Sequence, residues 1–167
     1  MICPLDLSRI NATSPYQVLL SPNGDSYNFF TDSGVQYNIS FLPDDTMMKE
    51  LVYDFVIANV NHKKSYGDKK VRETILTMLQ EFFRTNNEVI LYICETGDGK
   101  QAFRNKLFER WFSNYNKENR FSLYTATVTD EGVVNYAAII LRNDHPFFSA
   151  IVKEFVETTT FLNEKPH

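Results

Sequence analysis

The sequence predicts an α+β domain: a single, mostly antiparallel mixed sheet flanked by three helices, in the order β-β-β-β-α-β-α-β-β-α. Three observations carry this. Val35, Tyr37, Ile39 and Phe41 alternate with Gln36, Asn38 and Ser40, the period of two of a half-buried strand. Val71, Ile75, Met78, Leu79 and Phe82 recur at three and four, the period of an amphipathic helix. Val89 to Cys94 is a continuous apolar run with helical periodicity on either side, as expected of a central strand joined by strand-helix-strand crossovers.

Taken in order, Tyr16 to Leu20 is a short apolar run that stops at Ser21-Pro22-Asn23-Gly24, a strand and a turn. Tyr27 to Thr31 and Val35 to Phe41 flank Asp32-Ser33-Gly34 and form a hairpin. Beyond Pro43-Asp44-Asp45, Leu51 to Val60 is β-branched and aromatic, a fourth strand. The first helix runs from Asp68 to Thr85, and a second from about Lys100 to Tyr115 carries the stripe Phe103, Leu107, Phe108, Trp111, Phe112 and Tyr115. Phe121 to Thr129 and Val133 to Arg142 are strands around Asp130-Glu131-Gly132. Asn143-Asp144-His145-Pro146 then starts a last helix with Phe148, Ile151, Val152 and Phe155 inward.

Composition narrows the function. The 167 residues carry no repeat or low-complexity linker, so one domain, 1–167, is expected. Aromatics are in excess, with 14 Phe, 9 Tyr and 1 Trp, which favours a thick core or a recognition face. No apolar run reaches the ~18–20 residues that span a bilayer. Met1-Ile2-Cys3-Pro4-Leu5-Asp6 has no basic stretch or apolar h-region, and the expected location is cytoplasmic. Two cysteines make no disulfide framework, and three histidines without ligand spacing make no metal site. A net charge of −4 argues against nucleic acid as a partner.

Two loops carry candidate chemistry. His62-Lys63-Lys64-Ser65-Tyr66-Gly67-Asp68-Lys69-Lys70 places lysines and a glycine before a helix amino terminus, which suits a phosphate; the plainer reading is a solvated charged loop. Glu95-Thr96-Gly97-Asp98-Gly99-Lys100 joins a strand to a helix, but Cys94 and Gln101 stand where a P-loop needs Gly and Ser or Thr. Glu95, at the carboxyl end of a central strand, is the candidate catalytic group. No Gly-x-Ser-x-Gly elbow is present.

From Tyr27 to the last strand this element order resembles the GCN5-related N-acetyltransferase fold. Lys64-Ser65-Tyr66-Gly67-Asp68-Lys69 resembles that family's Arg/Gln-x-x-Gly-x-Gly/Ala loop, and the resemblance implies Lys64, Tyr66, Gly67, Asp68 and Lys69 as residues that hold the pyrophosphate of acetyl-CoA. Lys69 stands at the second glycine. Gly99-Lys100-Gln101-Ala102 and Leu107-Phe108-Glu109-Arg110-Trp111-Phe112 look like the family's Asn-x-x-Ala and Phe-Tyr-Glu-Lys-x-Gly-Phe stretch, with Phe108 at the tyrosine that protonates the leaving thiolate. The helices that normally separate the first two strands are absent from the pattern.

Tyr27-x-Phe29-x-Thr31-Asp32-x-Gly34-x-x-Tyr37 with Leu91-Tyr92-Ile93-Cys94-Glu95 and Phe108-Glu109-Arg110-Trp111-Phe112 also resembles a family of small bacterial proteins of unknown function. Together these features lead to the expectation of a non-catalytic, acetyltransferase-like domain that binds a protein or a small ligand, with no obligatory cofactor. A homodimer through the last helix, around Phe147, Phe155 and Phe161, is one form of that role. The alternative is an active N-acyltransferase that uses acetyl-CoA, with Glu95 acting through water.

Overall fold

The computed structural model describes residues 2–44, 51–63, 69–94, 109, 112–113, 116–130 and 132–164. The described strands form one mixed seven-stranded sheet in the order β1-β2-β3-β4-β5-β7-β6. They are β1 (Leu19–Leu20), β2 (Tyr27–Phe30), β3 (Gln36–Pro43), β4 (Val52–Asn59), β5 (Val89–Cys94), β6 (Phe121–Asp130) and β7 (Val133–Arg142). The described helices are α1 (Leu7–Thr13), α2 (Lys69–Thr85) and the last, named α3 here (Phe148–Glu164). The chain divides into two compact units interleaved in sequence, Met1–Leu42 with Phe55–Asn86, and Pro43–Asp54 with Asn87–His167.

In the first unit, Phe29 and Tyr37 are cross-strand partners on the β2–β3 hairpin, which turns at Thr31–Gly34. A Thr31 N–H to Val35 carbonyl bond of 2.9 Å closes the turn, and Gly34 supplies a φ of +85°. On α2, Ile75, Met78, Leu79, Phe82 and Phe83 are buried, as the three-four spacing predicts. Phe82 stacks on Phe41 at 5.0 Å between ring centroids, and Phe41 meets Phe55 of β4 at 5.3 Å. The buried Asn86 follows α2 and anchors the chain start: its Oδ1 accepts the Cys3 N–H at 2.7 Å while its Nδ2 donates to the Phe82 carbonyl at 3.0 Å.

The helix α1 is absent from the sequence reading. Its apolar content is slight, and Ile10 is its one buried residue. The helix is set by its cap, since Asp6 Oδ1 accepts the N–H groups of Ser8 and Arg9 at 3.0 and 3.3 Å, and by Ser14-Pro15, which ends it. The strand expected over Tyr16 to Leu20 shrinks to Leu19–Leu20. Tyr16 and Val18 are buried and Gln17 is exposed, so the alternation is real, but side chains take the backbone groups. Asn11 bonds both the N–H and the carbonyl of Val18, at 2.7 and 2.9 Å, and Ser14 Oγ donates to the Tyr16 carbonyl at 2.7 Å.

In the second unit, β5, β7 and β6 are successive antiparallel neighbours, with Leu91 opposite Ile139 and Tyr124 opposite the same residue on the other side. Val52, Val89, Leu91, Ala137, Ile139 and Leu141 meet Ile151 and Phe155 of α3 in one apolar cluster. Val89 N–H donates to the Leu51 carbonyl at 2.7 Å and joins the starts of β4 and β5, the parallel sense expected of a crossover pair. The helix expected over 100–115 lies outside the described residues apart from Glu109, Phe112 and Ser113, which are helical. No helix of the described residues is long and apolar enough to cross a membrane.

Candidate binding site at the β4–α2 junction

Of the residues singled out from the sequence, Lys64, Tyr66, Gly67, Asp68 and Glu95 lie outside the described residues. Lys69 is described. It opens α2 with its side chain 78% exposed and pairs with Glu73 one turn on, at 3.5 Å, an i,i+4 contact of the sort that adds only about 0.3–0.5 kcal/mol.

What can be built from the described residues is the rim of the junction. The end of β4 turns out of the sheet through Asn59, Val60 and Asn61. Val60 N–H donates to the Gln36 carbonyl at 2.9 Å, and Asn61 spans to β3, accepting from Gln36 N–H at 3.1 Å and donating to the Gly34 carbonyl at 2.9 Å. Asn59 Nδ2 donates to the Lys63 carbonyl at 2.7 Å, while its Oδ1 is buried with no hydrogen-bond partner among the described residues. His62 has a φ of +55°, a left-handed conformation that turns the chain at this corner. Lys63 lies across Gly34: a Cβ built on that glycine would stand 3.0 Å from Lys63 Nζ.

At the start of α2, Lys70 Nζ is 2.9 Å from Asp32 Oδ2 and lies over the Tyr16 ring at 5.6 Å from its centre. Tyr16 in turn accepts the Asp32 N–H on its hydroxyl at 3.2 Å. Thr74, fully buried on α2, takes the Tyr16 N–H on Oγ1 at 3.4 Å and donates to the Lys70 carbonyl at 2.7 Å. Two of the three lysines of this rim are thus matched with carboxylates, and Lys63 faces none among the described residues. Chemically the described part of this corner is mildly cationic, held by asparagines and a turn glycine and suited to an anionic group. Among the described residues no three His, Cys, Asp or Glu side chains gather in a metal-binding group.

Sequence reasoning marked the lysines and missed Asp32, Tyr16, Asn59 and Asn61. Asp32 reads as ordinary turn chemistry, and nothing local to it signals a partner 38 residues away.

Glu81 and His145 are among the titratable groups buried away from this corner. Glu81 of α2 is 6% exposed; Arg84 grips it with three hydrogen bonds of 2.8–3.2 Å, and Arg9 of α1 comes within 3.4 Å. The Arg84 hydrogen bonds hold its carboxyl below the usual glutamate range, with Arg84, Asp6 N–H and Arg9 reinforcing against burial. This group locks α1 to α2. His145, at the turn from β7 to α3, accepts the Phe147 N–H on Nδ1 at 3.0 Å, and burial pushes its pKa down against the opposing charges of Asp144 and Glu88.

No curated protein and no solved structure matches this chain. A family model does: the family of unknown function DUF6169 matches residues 67–157, from the start of α2 through β5, β6 and β7 into α3. That is more than half of the chain, and the protein therefore belongs to the family of unknown function DUF6169.

Proposed function

We propose that this protein is a non-catalytic binding domain with an acetyltransferase-like sheet, and that it takes an anionic small ligand of the coenzyme A or nucleotide class at the β4–α2 junction. The observation that carries the reading is the crossover at that point. Strand β4 ends in a corner rimmed by Lys63, Lys69 and Lys70, α2 follows, and β5 is the next strand in the sheet order. Ligands of α/β sheets bind beyond the carboxyl ends of such strands, where backbone N–H groups and lysines meet an anion. Lys69 at the second glycine and Phe108 at the tyrosine of the acetyltransferase pattern favour binding without acyl transfer.

Isothermal titration with acetyl-CoA, CoA and ATP tests this, repeated on Gly67→Trp and Lys63→Glu. Micromolar binding lost in both variants is expected. Absence of heat with all three ligands overturns the proposal. Release of free thiol from acetyl-CoA in the presence of amines would replace it by the N-acyltransferase reading.

A further inference from the structure

Among the described residues strand β6 is an outer strand of the sheet, paired to β7 alone, and such an edge presents unpaired N–H and carbonyl groups that template the addition of another strand. Its register fixes which residues these are. Phe121 faces Arg142, Thr127 faces Tyr136, and Asn143 N–H continues the ladder to the Arg120 carbonyl at 2.9 Å. Backbone groups alternate between the two sides of a strand, so the even-numbered residues bond β7. Phe121, Leu123, Thr125, Thr127 and Thr129 point outward.

Two asparagines occupy that outward row. At one end Asn116 takes both groups of Phe121: its Nδ2 donates to the carbonyl at 2.8 Å and its Oδ1 accepts the N–H at 3.2 Å. At the other end Asn163, in the last turn of α3, donates from Nδ2 to the Thr127 carbonyl at 2.7 Å and accepts the Thr129 N–H on Oδ1 at 2.9 Å. One carboxamide bridging a carbonyl and the N–H two residues on is the bonding that one residue of a parallel neighbour strand would make. Between the clamps only Leu123 and Thr125 keep both outward groups without a partner among the described residues. Tyr124, between them, is exposed, and Leu123-Tyr124-Thr125 carries no charge to repel a second strand.

We infer that Asn116 and Asn163 are edge guards, and that the strand they exclude is β6 of a second copy of this chain. The outward row is self-complementary in the antiparallel sense: with Tyr124 on the two-fold axis, Leu123 of one copy meets Thr125 of the other. The clamps confine that pairing to two residues per copy. Removing Asn163 frees Thr127 and Thr129 and lengthens the row to four successive outward residues, from Leu123 to Thr129.

Hydrogen exchange and sedimentation velocity on the full chain decide this. In the native protein the Thr129 amide exchanges about tenfold more slowly than those of Leu123 and Thr125. Asn163→Ala loses that protection at low concentration and self-associates as concentration rises, whereas the native chain does not. Adding Thr125→Pro, which removes an outward N–H and is tolerated at an edge, returns Asn163→Ala to native sedimentation. Equal exchange of Thr129 and Leu123 in the native protein overturns the inference without any variant. So does native-like sedimentation of Asn163→Ala, or association that persists in the double variant.

Discussion

Two packed regions, one in each compact unit, solve the same burial problem with different materials. In the first, rings do the packing: Tyr16, Phe29 and Tyr37 form one run, and Tyr27, Phe41, Phe55, Phe82 and Phe83 another, with centroid separations of 5.0–6.5 Å. In the second, the cluster around β5, β7 and α3 is Val, Leu, Ile and Ala with Phe155 as its one buried ring. Rings bury large areas but prefer offset or edge-on geometry, so an aromatic core fixes the angle of α2 on its strands as well as its distance. Aliphatic side chains fill space with less directional demand. The first unit buries Glu81 and pairs it with arginines; the second buries Asp44 and also His145, which accepts a backbone N–H.

The contrast is broken most forcefully at Phe82, which is fully buried and touches rings on two sides. Phe82→Ala is expected to cost about 3–5 kcal/mol in urea unfolding, and Phe82→Leu, though close in volume, still more than 1 kcal/mol or so, because the stacking on Phe41 is lost. A Phe82→Leu variant as stable as the native chain would show that ring geometry is irrelevant there. Glu81→Ala comes next, at about 2 kcal/mol, since Arg84 loses a charged acceptor and α1 loses its tie to α2; faster exchange of the Ile10 amide is the local readout. In the aliphatic cluster of β5, β7 and α3, Ile139→Val should cost only about 0.5–1.5 kcal/mol.

Acidification sharpens the comparison by separating the units. The folded-state pKa of His145 is below its unfolded value, so its contribution is fully present above the ordinary histidine range and is lost as pH falls through the folded pKa. Glu81 is also depressed, so its contribution holds above the ordinary glutamate range and disappears only at lower pH. Stability should therefore fall in two steps on acid titration, with amides of β7 and α3 exposed before those of α1 and α2. His145→Gln should remove the first step and leave the second. The smallest effect is expected at Lys70→Ala, under about 1 kcal/mol, because its pair with Asp32 is more than half exposed on both sides.

How far the sequence reaches can be judged at particular residues. The alternation of Val35 to Phe41 placed Ile39 and Phe41 in the core, and the three-four spacing of α2 placed Met78 and Phe82 there; both are burial patterns of one element, which local periodicity encodes. The strand expected at Tyr16 to Leu20 shows the limit, because its alternation is right but Asn11, Ser14 and Thr74 hold the backbone of Tyr16 and Val18. The lysines of the β4–α2 corner were legible as a charged run before a helix. Their matching to Asp32 and Glu73 was not, apart from the i,i+4 spacing of Lys69 and Glu73.

By itself the sequence determined the α+β class, the order of the described elements from β2 onward and the inward faces of β3, α2 and the last helix, because those depend on the chain's own period and turn residues. Only the tertiary structure decided that Glu81 answers Arg9, that Tyr16 lies under Lys70, and that Asn163 covers the edge of β6. Each of these joins residues far apart in the chain whose side chains are individually ordinary. No local pattern distinguishes an asparagine that faces water from one that stands in for a strand.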